Sequence, residues 1–255
     1  MYNITRISLK GGINLEILNK LADSCAHPDT KSAPVIAFIG DSVTQGCFDC
    51  FVNEKGQVAT EFYSQDAYHS DLEKILAYLF KETPVTIVNA GISGTTARRT
   101  VKRLERDVLY HKPDLSVVCF GLNDCGGGEE NLDEYGNSLK TIFTELQKIG
   151  SEVIFMTPNM MATRVSYKLK DKPLIDAAER CIKAQTGGML EKYLDRAKQV
   201  AKECNVPVCD VYDKWKKLYA HGASVTDYLS NSINHPSKEM HWMFAWSLLD
   251  TIINN

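Results

Sequence analysis

Five short apolar runs set what this chain can fold into: Val35 to Ile39, Val85 to Val88, Leu115 to Phe120, Val153 to Met156 and Val206 to Val211. A strand with one wet face alternates apolar and polar residues, whereas a strand covered on both faces reads as a near-continuous apolar stretch. These runs are mostly of the second kind. Between them, apolar residues recur at helical spacing. Leu72, Ile75, Leu76, Leu79 and Phe80 do so within 66–82, and Val101, Leu104 and Val108 within 96–110. Tyr135, Leu139, Ile142, Leu146 and Ile149 do so ahead of Gly150, a helix stop. Further helices are predicted over 188–204, over 213–220, and from Ser237 to Ile253 with Trp242, Ala245, Trp246, Leu249 and Ile252 as a buried stripe. Residues 160–187 read as a loop and a helix over the strand ends. This alternation predicts an α/β fold of three layers, α/β/α, with a five-stranded parallel sheet and helices on both faces. There are no repeats and no long linkers, so 1–255 is read as a single domain. Its core starts at about residue 34, after an N-terminal extension (1–33) with a short helix near 14–24.

In such folds ligands bind beyond the carboxyl ends of the strands. Three polar clusters stand at those ends: Gly40-Asp41-Ser42, Asn89-Ala90-Gly91 and Gly121-Leu122-Asn123-Asp124. A serine hydroxyl becomes a useful nucleophile when a base takes its proton and donors hold the oxyanion. Ser42 offers the hydroxyl and its own N–H. Gly91 offers an N–H that no Cβ shields, and Asn123 a side-chain amide. His235, on the loop before the last helix, supplies the base. Each residue also has a plain reading: Ser42 as a helix cap, Gly91 as a turn, Asn123 as an Asx turn, His235 as a loop residue. It is their order, each after its expected element, that favours chemistry. His241, Trp242 and Trp246 are read as packing residues, and Gly126-Gly127-Gly128 as a loop on the rim.

Composition narrows the partners. A net charge of −3 and a pI near 6.1 provide no field to recruit nucleic acid or an anionic membrane. Arg98, Arg99, Lys102, Arg103 and Arg106 read as a solvated helix face. The chain contains no apolar window long enough for a membrane span and no signal-like start, so a cytoplasmic location is expected. The eight cysteines, several inside apolar runs, suggest free thiols in a reducing compartment. Cys47-Phe-Asp-Cys50 is a C-x-x-C pair without a second half-site, so neither metal nor cofactor is expected. Asn3-Ile4-Thr5 matches a glycosylation acceptor and is read as incidental.

The four islands Gly40-Asp41-Ser42, Asn89-Ala90-Gly91, Gly121-Leu122-Asn123-Asp124 and Asn234-His235-Pro236, the last followed by Ser237-Lys238-Glu239-Met240-His241, resemble the SGNH (GDSL-type) hydrolases and occur in that family's order. The resemblance implies a flavodoxin-like fold and ester hydrolysis through an acyl-serine. Ser42 would be the nucleophile, His235 the base, and Ser42 N–H, Gly91 N–H and Asn123 the oxyanion hole. One position departs from the pattern. The family places an aspartate three residues before the histidine, and here Ser232 stands there. Three readings stay open: Asp227 reaches His235 by another path; Ser232 or a backbone carbonyl holds the imidazole in a Ser–His dyad, the favoured reading; or the enzyme is impaired. The Asn-His-Pro form is similar to carbohydrate acetylesterases. A small acyl group, acetyl above all, on a carbohydrate or other small molecule is the expected substrate. A thioesterase, a lysophospholipase and a non-catalytic carbohydrate-binding relative are the alternatives.

Overall fold

The computed structural model describes residues 15–81 and 83–255. The Asn3 motif and the start of the extension lie outside the described residues. The strands are β1 (Val35–Gly40), β2 (Cys47–Val52), β3 (Val58–Phe62), β4 (Thr86–Asn89), β5 (Leu115–Cys119), β6 (Glu152–Met156) and β7 (Val208–Cys209). The α-helices are α1 (Ile17–Ala26), α2 (Ser42–Gln45), α3 (Tyr68–Leu79), α4 (Ala97–Val101), α5 (Leu104–Asp107), α6 (Leu132–Lys148), α7 (Lys172–Thr186), α8 (Met189–Glu203), α9 (Val211–Ala220) and α10 (Lys238–Asn254).

The main sheet has five parallel strands in the order β4-β1-β5-β6-β7. Counted along the chain, that is the 2-1-3-4-5 order of flavodoxin-like folds. β1 is an interior strand between β4 and β5, and Ile36, Ala37, Phe38 and Ile39 are all fully buried, so both faces are covered. One group of helices joins α1, α3 and α10, and another joins α4, α6, α7 and α8. The expected five-stranded α/β/α fold is the one observed. The strand order reverses between β1 and its neighbours, which opens the ligand crevice at the carboxyl end of β1. Ser42 follows directly.

Several elements differ from their sequence readings. The 14–24 helix starts later, at Ile17, and is built into the domain: Ile17 and Leu21 are buried, and the Glu152 carboxylate accepts the Ile17 N–H at 2.9 Å. The single helix predicted over 96–110 breaks into α4 and α5. At the break Arg103 turns inward, with its side chain only 10% exposed, instead of joining the solvated face. On α6 the inward stripe includes Phe143, while Ile149 at the helix end is exposed. On α10 the buried stripe is His241, Phe244, Ala245, Leu248, Leu249 and Ile252. Trp242 and Trp246, expected inside, are 40% and 55% exposed. This helix is apolar on nearly every side, so period alone did not single out the buried face.

A hairpin, β2–β3, also stands apart from the main sheet. The sequence reading assigned no strand there, because CFDCFV and VATEF are short and mostly half-exposed, without clean alternation. Asn53 organises its turn, its Oδ1 accepting the N–H groups of Lys55 and Gln57 at 3.0 Å each. The hairpin's register shifts between Cys47 and Cys50: Cys47 faces Phe62, while Cys50 faces Thr60. Three steps on β2 therefore match two on β3, the signature of a bulge.

Candidate active site

The exit of β1 is built for close approach. A Cβ on Gly40 would lie 2.0 Å from Thr44 Oγ1 and 2.8 Å from the Cys119 carbonyl oxygen, so only glycine fits. Asp41 then caps α2, its Oδ1 accepting the Val43 N–H at 3.0 Å. Capping is thus the work of Asp41 rather than of Ser42. Ser42 begins the helix, and its Oγ lies 3.0 Å from His235 Nε2. Both residues are buried. Burial pushes the Asp41 carboxyl up to about 6, against the pull of the Val43 N–H and of His235.

Gly91 follows β4 and packs directly on α2. A Cβ there would sit 2.3 Å from the Gln45 backbone nitrogen. Its N–H donates to Asn89 Oδ1 at 3.0 Å. The carbonyl of the same peptide unit, on Ala90, accepts from Arg103 Nη1 at 2.8 Å. Asn123 Nδ2 donates to Asp41 Oδ2 at 3.2 Å and to the Thr95 carbonyl at 3.1 Å. Both side-chain and backbone donors thus border α2, Gly91 N–H holding the Asn89 amide oxygen and Asn123 Nδ2 the Asp41 carboxyl and the Thr95 carbonyl. A developing oxyanion competes for these hydrogens as a fully charged acceptor. Asp124 locks the Asn123 loop: its carboxyl accepts the Ala97 and Gly121 N–H groups, and burial pushes it up to about 7.

His235 sits on a braced loop. Leu229 and Pro236 form a bridge across it, and the Ser230 N–H donates to the His235 carbonyl at 2.8 Å. Asn231 is the hub. Its Oδ1 accepts three backbone N–H groups, from Ile233 at 2.9 Å and from Asn234 and His235 at 3.0 Å each. Segment 159–162 holds the loop from the other side: Asn159 Nδ2 donates to the Asn234 carbonyl at 2.9 Å, and the Ala162 N–H to Ile233 at 2.9 Å. The 160–187 segment therefore meets the site as a brace for the histidine loop. Ser230 Oγ ties the loop to β2 through Asp49 Oδ1 at 2.6 Å.

The structure does not bring Asp227 or Ser232 to the imidazole. Asp227 pairs with Arg164 at 2.8 Å on the surface, and hydrogen bonds from Ser224 and then Arg164 hold its carboxyl below the usual range. Ser232 takes a left-handed backbone conformation (φ 56°) in the turn, and its N–H bonds to Leu229. Among the described residues, the polar neighbours of His235 Nδ1 are Asn231 Nδ2 at 3.0 Å, Cys47 Sγ at 3.4 Å and Cys50 Sγ at 3.8 Å. Sequence reasoning assigned none of these three a role at the histidine. For Asn231 the signal was an Asx-type residue opening a turn; for the cysteines it was the C-x-x-C pair. His241 packs, as expected. Its Nδ1 accepts the Tyr68 N–H at 3.0 Å amid Phe48, Tyr68 and Phe244, and burial pushes its pKa down to about 3.

Among the described residues no group of three or more His, Cys, Asp or Glu side chains is arranged to hold a metal ion. No helix of theirs is long and apolar enough to cross a membrane. Residues 38–243 match the GDSL-like lipase/acylhydrolase family.

The chain belongs to that family.

An acetylxylan esterase of Geobacillus stearothermophilus is 30% identical over 136 residues, which is 50% of this chain and 60% of the relative. An uncharacterised lipoprotein of Bacillus subtilis (strain 168) is 28% identical over 148 residues, 55% of this chain and 60% of the relative. The chain thus spans about 60% of the length of these curated relatives. Among solved structures, the Geobacillus acetylxylan esterase superposes with a TM-score of 0.64 at 23% identity, covering 87% of this chain and 94% of its own. A two-domain esterase active on acetylated mannans gives 0.67 at 17% identity, covering 95% of this chain and 53% of its own. At these identities the structural likenesses establish the family's fold.

Proposed function

We propose that this protein is a serine hydrolase of carboxylic esters that removes small acyl groups, acetyl above all, from a carbohydrate. The observation that carries this reading is the 3.0 Å contact between Ser42 Oγ and His235 Nε2, with Gly91 and Asn123 bordering the same helix. In the first half-reaction Ser42 Oγ attacks the acyl carbon while its proton passes to His235 Nε2. The oxyanion takes hydrogen bonds from the Ser42 and Gly91 N–H groups and from Asn123. His235 then returns the proton to the alcohol oxygen as the C–O bond breaks, leaving acyl-Ser42. Water repeats the path, giving its proton to His235, and the acid leaves. Membership of the acylhydrolase family supports the ester chemistry, and the acetylxylan and acetyl-mannan esterases among the relatives support the sugar acetyl group.

Hydrolysis of p-nitrophenyl acetate by wild type and by Ser42→Ala tests the reading. Wild type is expected to turn over and to be labelled covalently by a fluorophosphonate, and Ser42→Ala to do neither. Equal inertness of the two proteins overturns the catalytic reading in favour of a binding module. A rate that rises from acetyl to decanoyl esters moves the substrate to long-chain lipids or thioesters.

A further inference from the structure

The family's aspartate is missing beside His235, yet the imidazole needs an acceptor at Nδ1. A histidine that takes a proton at Nε2 must carry its resting proton on Nδ1, and in a serine triad an acid selects that tautomer. The loop by itself supplies no such acceptor. Asn231 Oδ1 is committed to three backbone N–H groups, which fixes the amide and turns Nδ2, a donor, toward Nδ1 at 3.0 Å. If Nδ1 simply accepted from Asn231, the proton would sit on Nε2 and point at Ser42, and the base would be lost.

Two sulfurs stand where an acid would. In a regular strand, residues three apart face opposite sides. The β2 bulge removes that offset, and Cys47 Sγ and Cys50 Sγ both reach Nδ1, at 3.4 and 3.8 Å. The two hydrogens of Asn231 Nδ2 have acceptors of their own in Asn234 Oδ1 at 3.1 Å and Cys50 Sγ at 3.4 Å, so Nδ1 can keep its proton. We propose that a thiolate of the Cys47–Cys50 pair, in place of a carboxylate, holds the Nδ1 proton of His235 and so sets the tautomer that activates Ser42. This rests on the esterase reading above. The two thiols share one negative charge, and the Asn231 Nδ2 donor at 3.4 Å favours Cys50 as the sulfur that carries it. The Cys47 hydrogen bond, then His235 and Asn231, pull the Cys50 thiol down against its burial, while its bond to Cys50 and burial push Cys47 up. Other ionisable groups face the pair and the imidazole from the surrounding elements. Asp41 at the head of α2 is committed to Val43 and Asn123, Asp49 on β2 to Ser230, and His241 on α10 to Tyr68. Cys181 on α7 lies near Cys50 with its own thiol pushed up by burial. None of these offers Nδ1 an acceptor. In the reaction the thiolate stays a positioning residue. Its charge stabilises the imidazolium formed when Ser42 gives up its proton, and no bond to sulfur forms.

Two measurements test this. The first is the pH dependence of iodoacetamide alkylation at Cys50, read by mass spectrometry in wild type and in His235→Gln. Cys50 is half-buried, so the reagent can reach it. The expected midpoint lies well below the free-thiol value of about 8.5, and rises in His235→Gln. The second is p-nitrophenyl acetate kinetics with Cys50→Ala, Cys50→Ser and Cys50→Asp. Cys50→Ala is expected to lose on the order of 10²–10⁴ in kcat with KM little changed, by analogy with removal of a triad acid. Cys50→Asp is expected to recover most of the loss, and Cys50→Ser little of it. A wild-type midpoint near the free-thiol value, or wild-type kcat in Cys50→Ala, overturns the proposal, and the first readout stands even if Cys50→Ala fails to fold. A low midpoint in a wild type that hydrolyses no ester keeps the thiolate–imidazole pair and overturns the esterase reading instead.

Discussion

Arg103 shows how one residue changes meaning inside the fold. In sequence it is one of five cations on a predicted helix and reads as solvated. In the structure its guanidinium lies behind the Ala90–Gly91 peptide, bonded to the Ala90 carbonyl at 2.8 Å, to Asp107 at 2.9 Å and to Thr100 at 3.2 Å. A charged donor on a carbonyl orients and polarises the N–H at the other end of the peptide. In the proposed reaction Arg103 therefore acts as a positioning residue for the Gly91 donor. Arg103→Met is expected to lower kcat for p-nitrophenyl acetate about tenfold, corresponding to ~1.4 kcal/mol of transition-state stabilisation, with KM little changed and Arg103→Lys in between. Asn123→Ala, which removes a donor outright, is expected to cost on the order of 10²–10³ in kcat. A mutant that changes KM alone would mark a role in substrate binding instead.

Two elements of little sequence prominence decide the histidine's surroundings: the 229–236 loop and the β2–β3 hairpin. The loop depends on one amide, since Asn231 Oδ1 satisfies three buried backbone donors. Asn231→Ala leaves them unpaired, at about 1–3 kcal/mol for each donor that finds no water. Urea unfolding is expected to show a loss of at least ~2 kcal/mol. Asn231→Asp keeps the acceptor for the three N–H groups but replaces the donor to Cys50 Sγ and Asn234 Oδ1 by a carboxylate beside Nδ1, so it is expected to lose less stability than Asn231→Ala and to raise the Cys50 alkylation midpoint. Combined with Cys50→Ala, it is expected to restore activity that Cys50→Ala alone loses. The turn residue was readable as an Asx type. The hairpin was not, because its strands are short, half-exposed and off the main sheet, and because a bulge, rather than strand period, aims its sulfurs.

At the scale of the whole molecule, burial sets opposing pH dependences. His241 is held at about 3 in the folded state against 6.5 when unfolded. Its contribution is therefore complete above the unfolded value and is lost as pH falls from 6.5 toward 3. Asp41 and Asp124, raised to about 6 and about 7, act the other way: their contribution is complete below 3.8 and is lost as pH rises through those values. His241→Asn keeps an acceptor for the Tyr68 N–H and removes one titration. Relative to wild type it is expected to gain about 1.4 kcal/mol per pH unit as pH falls below about 6.5. Denaturant midpoints measured at several pH values check this, and a constant difference between the two proteins would refute it.

The sequence alone determined the sheet, its parallel sense and the side of it that carries chemistry, because continuous apolar runs and helical periods are local consequences of two-faced burial. It also determined Ser42, Gly91, Asn123 and His235 as candidates, each marked by a short island after a strand or before the last helix. Tertiary structure alone decided which apolar face of α10 is buried, that Arg103 turns inward, and what stands at His235 Nδ1. These depend on neighbours outside any one element's period: the Ala90 carbonyl beyond the preceding strand for Arg103, and a bulged hairpin for an imidazole 188 and 185 residues away from its two sulfurs. No local pattern encodes such a meeting, since the distance between side chains is set only when the sheet, the hairpin and the loop pack together.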